Sequence, residues 1–414
     1  VAVGWSFSEE PFIKRLTGGW LNWGKIRGSY GKSGQTFTSA YLAHGLMNIM
    51  DKSFFGKTGI TTDKPVSPYL TWEKTRQYDL GLDMDMFNYR LNVKLDYYYK
   101  YTSSLIYDIP IPGSLYAFGA QVENAMEISN EGLELELQAD ILRESAVSWR
   151  MKFNMARNWN RFEKSYSGKD VVDGDGTLLV VGRPLNGLYV WAHRGYYNSD
   201  AEVPRLYKID GQEIYFNGVA TNGISGAVGD YRLLDLDGDG NPDSYYAGSP
   251  LPLAHGGWVN ELMWKNFDLN VLVNFTIGRK MINNRMGLGF SRQSEDGHLT
   301  KLFDYRKLRP WDGVNKKPNA PAWGNSLSMN TDSAIEKVHH LALKQITLGY
   351  NLPDRISKKA GLSGVRFFLT AENLFYLSNY SGGNPEVVNI YTGRDNGDTY
   401  PLPRKYTLGL TLNF

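Results

Sequence analysis

Apolar and polar side chains alternate with a period of two along several long stretches of the chain, as in β-strands whose two faces meet different surroundings. Leu80, Leu82, Met84 and Met86 share one face, opposite Asp79, Gly81, Asp83 and Asp85. Beyond a tight turn near Asn88, Leu91, Val93, Leu95, Tyr97, Tyr99 and Tyr101 alternate with Arg90, Asn92, Lys94, Asp96, Tyr98 and Lys100. Leu133, Leu135 and Leu137 stand against Glu134, Glu136 and Gln138, and Trp149, Met151, Phe153 and Met155 against Arg150, Lys152 and Asn154. Phe267, Leu269, Val271, Val273, Phe275 and Ile277 alternate with Asp268, Asn270, Asn274 and Thr276. Phe367 and Leu369 do so with Arg366, Thr370 and Glu372.

A soluble antiparallel sandwich also alternates, but its strands average 5 or 6 residues, whereas these run to about 10–15. The connections alternate in length as well. They are tight at Asn88, at Arg143 to Ala146 and at Lys265-Asn266, and long over 33–69, 104–129, 161–251, 281–340 and 374–403. Short turns on one side and long loops on the other are the habit of a transmembrane antiparallel β-barrel. With Phe414 at the periplasmic side, strands counted back from 404 begin near 363, 341, 266, 252, 147, 130, 89, 70, 22 and 1. Every tight turn then falls on the periplasmic side. This count predicts 11 strands, or 12 to 13 if the interval 161–251 hides a further hairpin around Leu188 to Tyr197. A single-chain bacterial barrel has an even number, so the chain is expected to supply only part of an all-β wall.

Composition supports a membrane barrel. Aromatic residues make up 14% of the 414 residues while the mean hydropathy is −0.39, a pairing that aromatic girdles and a polar lumen produce together. Lys+Arg and Asp+Glu number 45 and 43, without the basic excess of a nucleic-acid binder. The absence of Cys excludes disulfides and thiolate metal sites. No stretch reaches the roughly 18 to 20 apolar residues of a membrane-spanning helix. The chain opens directly on a strand-like Val1-Ala2-Val3-Gly4-Trp5, without a signal peptide, so truncation of a longer exported protein is expected.

The last residues carry the sharpest local signal: Tyr406, Leu408, Leu410, Leu412 and Phe414 form one apolar face that ends in an aromatic at the C-terminus. A terminal edge strand must be recognised and paired, and this face resembles the signal read by the outer-membrane assembly machinery. Further motifs follow in order. They are Trp23-Gly24-Lys25-Ile26-Arg27-Gly28-Ser29-Tyr30-Gly31, Leu70-Thr71-Trp72-Glu73-Lys74-Thr75 with Gly81-Leu82-Asp83, and Asn130-Glu131-Gly132-Leu133-Glu134-Leu135. Then come Gly182-Arg183-Pro184-Leu185-Asn186-Gly187, Leu343 to Pro353 and Ala371-Glu372-Asn373-Leu374-Phe375. Taken as an ordered set, they resemble the C-terminal barrel of SusC/RagA-type TonB-dependent outer-membrane transporters. The resemblance implies a barrel of about 22 strands with a plugged lumen, with the plug, the TonB-contacting segment and the first half of the barrel upstream of residue 1. It also implies a SusD-like surface lipoprotein as lid, TonB as the source of energy, and a dimer of transporter–lipoprotein pairs as an accessible assembly.

Asp235-Leu236-Asp237-Gly238-Asp239-Gly240-Asn241-Pro242-Asp243 sets carboxylates at relative positions 1, 3, 5 and 9 with Gly at 6, as calcium loops do. The bidentate Glu of an EF-hand is replaced by Tyr246. Bound Ca²⁺ on Asp235, Asp237, Asp239 and Asp243, and an Asp/Gly-rich turn with solvated carboxylates, are the two readings. Asp173-Gly174-Asp175-Gly176 reads as a turn. The outer loops hold Trp191, His193, Tyr196, Tyr197, Tyr215, Trp311 and Trp323, rings that serve either as packing or as platforms for sugars and peptide side chains. Tyr189 and Trp191 are the candidates for facing substrate. His339 and His340 are adjacent on a strand and point to opposite faces, so they do not share a metal.

No nucleophile elbow, zinc-helix or phosphate-loop motif is present, and scattered lumen-side carboxylates read as a hydrated wall. The expected function is therefore not enzymatic but energised import of oligosaccharides or peptides. The competing readings are a TonB-dependent siderophore or cobalamin receptor, a passive porin and a soluble adhesin.

Overall fold

The computed structural model describes the chain apart from residues 37–41, 43–46, 63–64, 113–118, 173–177, 204, 208–212, 216–227, 237, 239–242, 285–308, 315–316, 323–330, 390 and 398. The alternating stretches become neighbours in one antiparallel sheet. Its strands are β1 (Ala2–Trp5), β2 (Leu21–Gln35), β3 (Glu73–Met86), β4 (Leu91–Pro110), β5 (Ala120–Leu142), β6 (Val147–Lys164), β7 (Ala254–Trp264), β8 (Phe267–Asn283), β9 (Ile335–Asn351), β10 (Gly364–Ser378) and β11 (Lys405–Asn413). Each pairs with its neighbours in this series, and a short twelfth strand, Arg394–Asp395, adds in parallel to the end of β8. The eleven strands expected from the periodicity are all present, and the tight turns join β3 to β4, β5 to β6 and β7 to β8.

Register keeps the two faces separate. Ile26, Leu82, Leu95, Leu135 and Met155 pair in one row across five strands. The next row runs Lys25, Asp83, Lys94, Glu136, Asn154, Gly257 and Asn274. The apolar side stays open: Leu80, Leu133, Leu369 and Leu408 are exposed. A soluble sandwich would bury that face against a second sheet. Here it is the surface a bilayer covers. The polar side is curved inward, because Asn92 on β4 and His340 on β9 line the same cavity. In a flat sheet, five strand spacings of about 4.8 Å would hold them some 24 Å apart.

Close approach across the polar face uses glycine. The Tyr98 ring lies over Gly132 and the Phe368 ring over Gly409, so a Cβ at either glycine would collide with the ring. At the β3–β4 turn, Phe87, Asn88 and Tyr89 all adopt left-handed backbone conformations. Asn22 accepts from the Tyr89 N–H at 3.2 Å, and the Phe87 N–H bonds the Trp20 carbonyl at 2.7 Å.

Two expectations are corrected. The interval 104–129 is not a long loop, because β4 and β5 stay paired out to Pro110 and Ala120. Alternation fails there because the ladder shifts register between Thr102 and Leu105, with Ser104 left-handed. β5 thus reaches 23 residues, twice the roughly 9–11 that cross a bilayer, so its far end stands clear of the membrane. Leu188 to Tyr197 does not add a wall hairpin. Leu188–Trp191 pairs with Ser244–Gly248, and His193–Tyr196 with Tyr231–Leu233, both outside the main sheet. Their side chains find apolar partners among the outer loops instead of lipid.

The buried apolar clusters form where the outer ends of the wall strands meet that layer. One cluster joins Leu188, Val190, Ala247, Ile282 and Ala334; a second joins Met126, Phe162, Val171 and Leu179; a third joins Met281, Val338, Tyr380 and Val388.

Candidate functional site at the outer loops and polar wall

Three of the long outer connections, 165–253, 284–334 and 379–404, hold the outer-loop rings and contribute to the buried clusters. Within Leu188–Trp191, Leu188 and Val190 point into the first apolar cluster, which turns Tyr189 and Trp191 the other way. Tyr189 packs on Tyr246 with ring centroids 5.6 Å apart, and the Arg183 guanidinium covers the Tyr246 ring at 4.9 Å. Gly187 lies beneath, where a Cβ would come within 2.8 Å of the Tyr189 ring. The Tyr189 hydroxyl is buried with no hydrogen-bond partner among the described residues. Burial, with the neighbouring Tyr246 phenol, pushes its pKa up to about 12. Trp191 is half-buried and bridges to Thr331 through its backbone.

Most other rings picked out from the sequence are packing. Tyr196 stacks on Tyr231 at 5.4 Å, His193 meets Tyr231 edge-on at 5.0 Å, and Tyr196, Tyr197 and Tyr231 are buried. Desolvation raises all three phenols above the ordinary tyrosine value. Asp332, from the second connection, takes a short contact with His193 Nδ1 and accepts from the Tyr245 hydroxyl at 3.3 Å. The Tyr231 hydroxyl shares a 2.9 Å hydrogen bond with Ser333. The Trp311 indole N–H donates to Asn198 at 3.2 Å. These contacts tie the first two connections into one unit. Trp323 and Asp173 to Gly176 lie outside the described residues, as does the Tyr215 side chain. Sequence reasoning passed over Tyr391 and Tyr400, whose rings are exposed on the third connection. Their only signal is a setting of Gly, Asp and Asn.

Asp235 and Asp243 lie in one turn. Asp235 Oδ1 accepts from the Gly238 N–H and Asp243 Oδ2 from the Leu236 N–H, both at 2.6 Å. Asp237 and Asp239 lie outside the described residues. Among the described residues no group of three His, Cys, Asp or Glu side chains could hold a metal ion.

The polar wall is laced with ion pairs. Arg27 bridges Asp83 at 2.9 Å and Asp96 at 2.5 Å, Lys152 meets Glu261 at 2.8 Å, and Arg366 meets Asp268 at 2.5 Å. A cavity of about 610 Å³ lies against it, with Lys94, Glu136, Lys152 and Asn154 on one side and His255 and His340 on the other. His255, Thr276 and His340 share one cross-strand row. Glu386 reaches this wall from the third connection and pairs with Lys344 at 3.1 Å. At 3.9 Å from His340 Nε2 it is beyond hydrogen-bond distance, and that nitrogen, like His255 Nδ1, has no hydrogen-bond partner among the described residues. His339 faces away from buried His340, as adjacency on a strand requires. His255 was not singled out from the sequence, since it sits alone within its strand, and His340 entered there only through its adjacency to His339.

The family model described as TonB dependent receptor-like, beta-barrel, matches residues 1–246. TonB-dependent receptor P26 of Formosa agariphila is 30% identical over the whole chain, which covers 42% of that protein. TonB-dependent receptor SusC of Bacteroides thetaiotaomicron is 26% identical over the whole chain, which covers 40% of it. The solved structure of the RagAB peptide transporter superposes with a TM-score of 0.78 at 23% identity, over all of this chain and 43% of that one. The chain thus spans less than half the length of the relatives it matches.

Proposed function

This chain belongs to the TonB dependent receptor-like β-barrel family, and from that premise we propose that it is the C-terminal wall of an energised outer-membrane importer of oligosaccharides or peptides. The family is one of receptors, not enzymes, and its members are outer-membrane proteins. The observation that carries the proposal is the division of the sheet. One face is predominantly apolar, the other is charged, and the long loops gather over one end. In this reading the remaining strands and a plug domain complete the barrel. TonB supplies the force, and a SusD-like lipoprotein covers the packed outer loops, in pairs of such complexes. Support for a SusC-type assignment comes from the named SusC relative and from the RagAB likeness in fold.

The test is uptake of labelled oligosaccharides and of labelled peptides by cells carrying the full-length protein, with and without TonB. The proposal expects accumulation of one class that is lost without TonB and reduced when the neighbouring lipoprotein is deleted. Equal entry with and without TonB would establish a passive porin, and TonB-dependent entry of only an iron chelate or cobalamin would establish the siderophore-receptor reading.

A calcium ion in the 235–243 loop is a separate proposal, supported by the residue pattern alone. Terbium luminescence sensitised by nearby rings is expected to titrate with Ca²⁺ and to vanish in the Asp237→Asn, Asp239→Asn double variant; no such signal in the parent protein would leave a simple turn.

A further inference from the structure

The connection between β1 and β2 is not part of the wall, and nothing in the import mechanism uses it. It contains a helix, Pro11–Thr17, opened by proline at its first turn and closed by left-handed Gly18. Seven residues are too few to hold a helix in water on their own, so the surroundings must fix it. Phe7 does so. Its ring lies on Gly24, where a Cβ would come within 2.5 Å of Cζ. Gly24 pairs with Met84, on the same side as the Ile26–Leu82 and Gly28–Leu80 pairs. Trp5, also on that side, meets Phe7 edge-on at 6.1 Å, and its indole N–H donates to Glu10 at 3.1 Å. The segment is therefore clamped to the outer, apolar side of the wall, away from the lumen.

The helix then has two kinds of face. Ile13 and Thr17 are half-buried against the protein, whereas Phe12 and Leu16, one turn apart, are 53% and 78% exposed. Trp20 continues the exposed apolar strip and stacks on Phe87 at 6.2 Å, with Tyr89 exposed beside it. The Trp264–Phe267 stack at 6.2 Å and the Phe267–Tyr350 contact at 4.7 Å occupy the same tight-turn end of the sheet. That is an aromatic girdle, and the helix lies in line with it. Lys14 and Arg15 lie between the apolar pair in sequence, and Lys14 is paired with Glu9 at 3.0 Å.

We propose that Pro11–Thr17 is an interfacial anchor lying in the periplasmic leaflet, with Phe12 and Leu16 inserted beneath the headgroups and Arg15 beside lipid phosphates. An amphipathic helix whose apolar face is continuous with a lipid-covered wall fits that layer, where it buries its apolar side to a shallow depth.

This chain contains no cysteine, so Leu16→Cys in the full-length protein, with any cysteine outside this chain replaced by serine, gives a single site for an environment-sensitive dye. The labelled protein is placed in nanodiscs of phosphatidylethanolamine and phosphatidylglycerol. Spin-labelled lipids carrying the quencher near the headgroup are expected to quench the dye about twofold or more, and more strongly than lipids labelled deep in the tail. Iodide in the water phase is expected to quench it less than the same dye on Tyr69→Cys, an exposed position in the β2–β3 connection. Gly24→Leu, which displaces Phe7, is expected to lower the lipid quenching while the barrel keeps its heat-modifiable mobility. Iodide quenching equal to the Tyr69→Cys control, stronger quenching from the deep label, or no response to Gly24→Leu would each overturn the proposal.

Discussion

Tyr189 shows how a ring that invites a functional reading is used by the fold. Its phenol is buried without a partner among the described residues, so the hydroxyl contributes desolvation cost and no hydrogen bond. Tyr189→Phe is expected to be neutral or to stabilise by up to ~1 kcal/mol, with the rate of substrate uptake unchanged, as read by thermal unfolding in detergent and by transport. A marked loss of uptake would mean instead that substrate supplies the missing partner. The raised phenol pKa of about 12 carries a sign. Folding favours the protonated form, so its contribution is complete below the unfolded value of roughly 10 and is lost as pH rises through the folded value. Alkaline difference spectra are expected to lose a late-titrating phenol when Tyr189 is replaced by Phe.

At the scale of elements, the outer connections behave as a packed layer hinged on a few polar contacts. Asp332 holds both His193 and Tyr245 across two connections. Asp332→Asn is expected to weaken that junction, so that limited trypsin cleaves within 284–334 several times faster while the barrel's heat-modifiability is kept. Unchanged cleavage would show that the apolar clusters hold the layer alone. The terminal strand β11 is a second case. It pairs β10 from Gly364↔Asn413 to Glu372↔Lys405, and Tyr406, Leu408, Leu410, Leu412 and Phe414 are all exposed along it. Deleting Phe414 is expected to lower the amount of assembled protein in the outer membrane severalfold without altering its synthesis, measured by blotting of membrane fractions; normal assembly would remove Phe414 from the signal.

How much of this could be read from the residues follows from the kind of force involved. The wall strands were legible because lipid on one side and water on the other impose period two on each strand independently, as from Leu91 to Tyr101. The end of β4 was not, because beyond Thr102 the ladder shifts and both faces meet protein. The loop clusters were illegible for the same reason. Val190, Ile282 and Ala334 lie far apart in sequence and become a core only when two connections meet the end of β8. His255 and His340 come together only through register across Thr276, which no local pattern encodes. The Asp235 to Asp243 segment kept its two readings, since a turn and a cation loop ask for the same residues.

For the molecule as a whole, the account rests on a sheet with one face in lipid and the other in water. Single cysteines along β4 in the full-length protein, embedded in outer-membrane lipid, test it directly. Val93, Leu95 and Tyr97 variants are expected to be shielded from a membrane-impermeant thiol reagent and quenched by spin-labelled lipid, and Asn92, Lys94 and Asp96 variants to show no lipid quenching. A period of two in lipid quenching is the predicted result; equal quenching at all six positions, or none at any, would contradict it.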